Sequence, residues 1–168
     1  MLVVLCQAAM AQQQPANPNL TALNSLLGKW VGEGNAEVGS GSGSFSFEAS
    51  LQNKVLVRKN HSEYRAAKDA PLYVHDDLLI VYSDTATKQL RAFYTDSEGH
   101  VINYGVHVSA DGKDIVFLSD TQANSPHYRL TYALTQPDKM SVTLEMAPPD
   151  KPDQFKQIVD GKVRKAAV

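Results

Sequence analysis

The sequence predicts an all-β fold, a single ten-stranded antiparallel up-and-down barrel entered through a short N-terminal helix. Three observations predict it. Apolar and polar residues alternate with a period of two over most of the chain, clusters of breaker residues cut that alternation at hairpin intervals, and no stretch of helical periodicity interrupts it after Trp30. Successive hairpins make a meander, and a long meander removes its exposed edges most simply by closing on itself. A two-sheet sandwich is the alternative, but it calls for longer crossovers than the spacing of the breakers provides. The 168 residues, 43% hydrophobic and 20% charged, suit one domain with one core.

Residues 1–11 form an apolar run that closes on Ala9-Met10-Ala11, a small-x-small pattern, ahead of the polar Gln12-Gln13-Gln14. The pattern predicts a signal peptide, truncated in that no basic residue precedes the apolar run, and so a periplasmic or secreted protein. Crossing a bilayer takes about 20 apolar residues, so no membrane insertion is expected. The single cysteine, Cys6, falls in this run and leaves the mature chain without a thiol for disulfides, metal ligation or nucleophilic attack. Residues 12–18, with Pro15 and Pro18, read as an extended polar tether, and 19–168 as the barrel domain.

Asn19 is a capping residue for a helix of about two turns. Leu20, Leu23 and Leu27 share one face of it, and Gly28 stands where a left-handed C-terminal residue is wanted. Strands are then expected at 29–38, 43–51, 55–64, 72–83, 89–95, 100–109, 114–120, 127–135, 139–146 and 155–165. Phe45, Phe47, Ala49 and Leu51 alternate with Ser44, Ser46, Glu48 and Ser50, and Tyr128, Leu130, Tyr132 and Leu134 repeat the pattern late in the chain. The breakers between strands are Gly-, Asn-, Asp- and Pro-rich, as at Gln52-Asn53-Lys54, Ser97-Glu98-Gly99 and Ala147-Pro148-Pro149-Asp150. The run Gly39-Ser40-Gly41-Ser42-Gly43-Ser44 lacks the lysine and following helix of a phosphate loop and reads as a flexible loop between the first two strands.

With Gly28, Trp30, Gly32 and Gly34 spaced as Gly-x-Trp-x-Gly-x-Gly behind a short helix, the chain resembles calycin-type barrels, the lipocalin and fatty-acid-binding-like folds. It is most similar to the nitrobindins and related bacterial families of unknown function. The resemblance implies a closed barrel from Asn19 to Arg164, in which Gly28, Trp30, Gly32 and Gly34 open the first strand. It also implies a basic residue of the last strand, Arg164 or failing that Lys162, lying over the indole as a closure contact. Such a cation over an aromatic face contributes about 0.5–1 kcal/mol at exposed sites. Nitrobindins carry haem b at the barrel mouth on a histidine late in the chain. Here the last histidine is His127, so the resemblance carries the fold further than it carries haem.

Composition and motifs exclude more functions than they select. Sixteen Lys and Arg against 18 Asp and Glu give a formal charge of -2, which offers no field for nucleic acid. There is no Gly-x-Ser-x-Gly elbow, no His-Glu-x-x-His helix and no calcium loop, so neither a catalytic group nor a metal site is expected. In His75-Asp76-Asp77 the strand period lets His75 and Asp77 converge while Asp76 points to the other face. A barrel of this size can enclose one small ligand between apolar walls and a few orienting polar groups. On strand parity His61 goes with Val55 and Val57, His75 with Leu79 and Val81, and His107 with Val101 and Asn103, which reads these histidines as sharing a face with apolar neighbours. The candidate lining residues are His61, Tyr73, His75, Tyr94, His107 and Arg129. The expected function is therefore non-catalytic binding of a small, largely apolar molecule outside the cytoplasm. Two alternatives stand beside it: a nitrobindin-like haem b protein acting on nitrogen oxides, with His61, His75 or His107 on iron, and a structural or interaction module of the cell envelope. An enzyme with a lone acid or base needs no motif, since burial alone can shift a pKa enough.

Overall fold

The structure, a computed structural model, describes residues 18–34 and 41–167. The expected signal peptide with Cys6, all of the tether but Pro18, and the stretch 35–40 lie outside the described residues. One α-turn, α1 (Pro18–Thr21), and a 3-10 turn (Asn24–Leu26) precede ten strands. These are β1 (Gly28–Gly32), β2 (Gly41–Ser50), β3 (Val55–Tyr64), β4 (Tyr73–Ser83), β5 (Leu90–Asp96), β6 (Val101–Val108), β7 (Asp114–Ser119), β8 (His127–Gln136), β9 (Lys139–Ala147) and β10 (Lys156–Lys165). Each strand pairs antiparallel with the next, and β1 pairs with β10, so the meander closes into a barrel without a free edge.

Strands β2 to β10 follow the expected segments closely, because alternation and breakers fix them locally. β1 is the exception. It ends at Gly32, with Glu33 and Gly34 beyond it and the rest of the expected span outside the described residues, although the Glu33 amide still donates to the Lys162 carbonyl at 2.8 Å. Gly41 and Ser42, expected before the strand, belong to β2. Backbone proximity explains this use of glycine: a Cβ on Gly43 would lie 2.9 Å from the His61 carbonyl oxygen, and one on Gly34 2.8 Å from that of Gly41.

The expected two-turn helix is a second correction. α1 stops after four residues and the chain re-forms as the 3-10 turn, so Leu20, Leu23 and Leu26 are buried at three-residue spacing. Leu27, expected on the buried face, is already extended, with φ -56° and ψ 140°. A segment this short gains too few helical hydrogen bonds to hold a regular helix against the packing of its leucines. Gly28 takes φ +109°, the reversal its position called for, and sends the chain into β1.

The three leucines plug one end of the barrel. Above them Trp30, Phe45, Phe47, Phe117 and Tyr132 fill the interior, with Phe45, Phe47 and Phe117 each meeting Tyr132 edge-on at centroid separations of 5.6–5.9 Å. The Trp30 indole N–H donates to the Leu26 carbonyl at 2.8 Å and ties the plug to β1. Closure differs from the expectation in one residue. Trp30 lies opposite Lys165 in the β1–β10 register, and Lys165 Nζ stands 5.2 Å from the ring centroid. Arg164, one residue earlier, pairs with Val31 and projects from the other face, as strand alternation requires, and Lys162 shares its parity.

Candidate functional site

The end away from the plug is open. There the inward positions of β6, β8, β9 and β10 carry Ile102, Tyr128, Val142, Leu144, Met146 and Val159, and none of these is fully buried although each is on the face that the barrel turns inward. Val159, register partner of Leu144, remains 51% exposed. A Cβ added to Gly161, opposite Val142, would meet nothing within 4 Å. The inward-facing apolar groups at this end therefore stay partly accessible.

The facing wall, from β3, β4 and β5, is polar. Its floor is Arg58, a buried guanidinium that donates from one side to the Tyr132 hydroxyl on β8 and from the other to Asp77 Oδ1. Burial works against this charge, and the contacts with Tyr132 and Asp77 outweigh it and keep Arg58 protonated. Asn60 Nδ2 donates to Asp77 Oδ2 at 3.0 Å, leaving the Asp77 side chain 3% exposed. Arg58 Nε is buried without a hydrogen-bond partner among the described residues.

Nearer the mouth, His75 is the hub. Its Nδ1 lies 2.7 Å from Glu98 Oε2, and its Nε2 lies 3.2 Å from the Tyr94 hydroxyl and 3.4 Å from Asp77 Oδ2. Tyr94 donates to Asp96 Oδ2 at 3.1 Å, and Tyr73 donates to Glu98 Oε1. The turn after β5, with Gly99 at φ +87°, folds the amides of Glu98 and His100 onto Asp96 Oδ1 at 3.1 and 2.8 Å. Burial works against ionisation of Asp96, but the His100 amide and ring and the Tyr94 hydroxyl hold its pKa below the ordinary carboxylate value. The Tyr73 hydroxyl, with His75, does the same for Glu98. Burial first, and then the nearby carboxylates, push the Tyr94 phenol far above its usual range. Tyr104, deeper in the barrel, is raised by burial as well.

Of the six expected lining residues, the structure brings Tyr73, His75 and Tyr94 together at the mouth. The other three stand on the outer wall, one strand position out of phase with the buried residues. His61, 51% exposed in its side chain, bonds Asp76 at 2.7 Å across β3–β4. His107 alternates with buried Tyr104 and Val106 and is exposed. Arg129 alternates with buried Leu130, pairs with Glu145 at 2.6 Å and lies 4.3 Å over Phe155. The expected convergence of His75 with Asp77, and the opposite direction of Asp76, hold in the structure. Arg58, Asp77, Asp96 and Glu98 belong to the same group and were not among the expected residues. For Arg58 the missed signal is its parity with Leu56, both buried, since Val55 and Val57 were the ones read as inward. A groove of the outer wall passes Lys29, Ser44, Ser46, Lys59 and His61, apart from this cluster.

The environment of His75 does not suit a haem ligand. Carboxylates face both ring nitrogens, Glu98 at Nδ1 and Asp77 at Nε2, and Asp96 stands in the same group. His61 and His107 project away from the interior. No family model matches the chain, and no curated protein matches it significantly. The closed ten-stranded antiparallel barrel is compatible with a calycin-like fold.

Proposed function

We propose that this protein is a calycin-like, nitrobindin-related barrel that binds one small, largely apolar molecule non-catalytically in its open half. The observation that carries the reading is the partly exposed inward wall of Tyr128, Leu144, Met146 and Val159 opposite an ordered polar wall. An apolar body lies against the first, and Tyr94, His75 and Asn60 orient its polar end from the second. Ligand binding of this kind needs no reacting group, which agrees with a polar wall whose members are already bonded to one another. A periplasmic or secreted setting rests on the leader at 1–11, and N-terminal sequencing of the exported chain tests it, with Gln12 expected as the first residue.

Native mass spectrometry of the protein purified from its own host tests the binding, with an absorption spectrum of the same sample. An organic mass that is lost on denaturation, without a Soret band, is the expected result. A bare polypeptide that also takes up no apolar probe would overturn the reading. A haem mass would replace it with the haem alternative.

A second reading, an interaction module of the cell envelope, draws on the rim. Tyr64, Leu72, Tyr73, Val74, Val101 and Ile158, all near the mouth, are more than two-fifths exposed. A chain that binds no probe but associates with itself through this rim would favour that reading.

A further inference from the structure

We propose that His75, Asp96 and Glu98 form a binding site for a divalent transition-metal ion of the zinc type at the mouth of the barrel. The proposal is independent of the small-ligand reading. Each residue offers one ligand atom, and the three atoms lie within 4.8 Å of one another. They come from neighbouring elements, His75 from β4, Asp96 from the end of β5, and Glu98 from the turn that follows. Side chains of this group remain accessible from the mouth, with His75 24% and Glu98 29% exposed.

Charge is the second consideration. Asp96 is 4% exposed in its side chain and Asp77 3%, so two carboxylates are withdrawn from water beside a third, Glu98. Arg58 is committed to Asp77. Asp96 and Glu98 are met by hydroxyls, backbone amides and imidazoles, which leaves the pair short of a permanent positive charge. A divalent cation supplies what this arrangement lacks.

The surroundings of His75 point the same way. Its Nδ1 faces Glu98, and its Nε2 faces the Tyr94 hydroxyl at 3.2 Å and Asp77 at 3.4 Å, both outside the proposed ligand set. Asp77 is in turn fixed by Arg58 and Asn60. A carboxylate behind the far ring nitrogen is the arrangement that orients a metal-bound imidazole. One nitrogen and two carboxylate oxygens suit zinc, and manganese less tightly, whereas calcium and magnesium favour all-oxygen sets.

The full chain, stripped with a chelator, is titrated with zinc chloride by calorimetry, and with magnesium and calcium chloride for comparison. A single zinc site tighter than about 10 μM is expected, weakened at least about tenfold by His75→Ala and by Glu98→Gln. His61→Ala, which removes the outer-wall histidine beside Asp76 and Glu63, leaves the affinity unchanged. Histidine-ring resonances of the unaltered protein give a readout that needs no variant to fold: zinc shifts those of His75 and leaves those of His107 in place. Absence of zinc binding, binding that survives both mouth variants, loss of it in His61→Ala instead, or unmoved His75 resonances would each overturn the proposal.

Discussion

The two halves of this barrel share strands, alternation and closure, yet they use their inward positions in opposite ways. In the plugged half the inward side chains form one apolar cluster, and Trp30, Phe47, Phe117 and Tyr132 are almost wholly buried. In the open half the same strands present His75, Asp77, Tyr94 and Asp96 against Tyr128, Leu144 and Val159, and much of that surface stays wet. The boundary falls at Arg58, whose guanidinium reaches across to Tyr132, the last member of the aromatic cluster. One half supplies stability and the other is free to hold chemistry that a packed core would reject.

Breaking the plugged half should cost most. Phe117→Ala is expected to lower stability by about 3–5 kcal/mol in urea unfolding, since Phe117 is fully buried among three partners, Tyr104, Tyr132 and Leu130. The variant that remains folded should bind the same apolar probe as the parent.

The boundary itself comes next. Arg58→Met leaves Asp77 buried without its partner and should cost about 3–5 kcal/mol, while adding Asp77→Leu should recover much of that loss. A double-mutant cycle by chemical denaturation checks this, and equal losses in the single and double variants would show that Arg58 acts through packing instead.

Alkaline pH distinguishes the buried phenols from exposed ones. Burial raises the pKa of Tyr94, Tyr104 and Tyr132, so these groups stay protonated in the fold at a pH where the unfolded chain has lost the proton. Their contribution is fully present below the ordinary tyrosine value of about 10 and is lost as pH rises above it. Phenolate absorbance and circular dichroism, recorded together, should show these three ionising only as the barrel unfolds.

The smallest effect belongs to the outer wall. Arg129→Ala removes a partly exposed pair with Glu145 and should change stability by about 1 kcal/mol or less, with probe binding intact.

Much of the fold was legible in the sequence because strand alternation and turn chemistry are local. The expected bounds of β3 are those observed, and β4 to β10 lie close to theirs. What failed depended on tertiary context. The helix at Leu20–Leu27 gave way to packing of three leucines, and the length of β1 depended on its pairing with β10. The same limit governed the site. Parity separates inward from outward residues only once a strand's phase is known, and the phase of β3 was read from Val55 and Val57, the wrong side of Leu56 and Arg58. That error put His61 inside and left Arg58 out. His107 shares its parity with Val101, which is exposed, rather than with buried Tyr104 and Val106, and Arg129, a candidate by residue type, alternates with buried Leu130. His75 and Asp77 were legible because two residues on one strand converge whatever the phase. Asp96 and Glu98 join them through a cross-strand register, Asp77 opposite Asp96, which no local pattern encodes.

The central claim is that the open half is a ligand hollow, and Gly161→Leu tests it most directly. A Cβ there meets nothing within 4 Å, so the larger side chain should fit without overpacking and leave stability nearly unchanged. Titration with the neutral fluorescent probe N-phenyl-1-naphthylamine should show saturable binding to the parent chain and to Arg129→Ala, and its loss in Gly161→Leu. Equal binding by the parent and a folded Gly161→Leu variant would contradict the account.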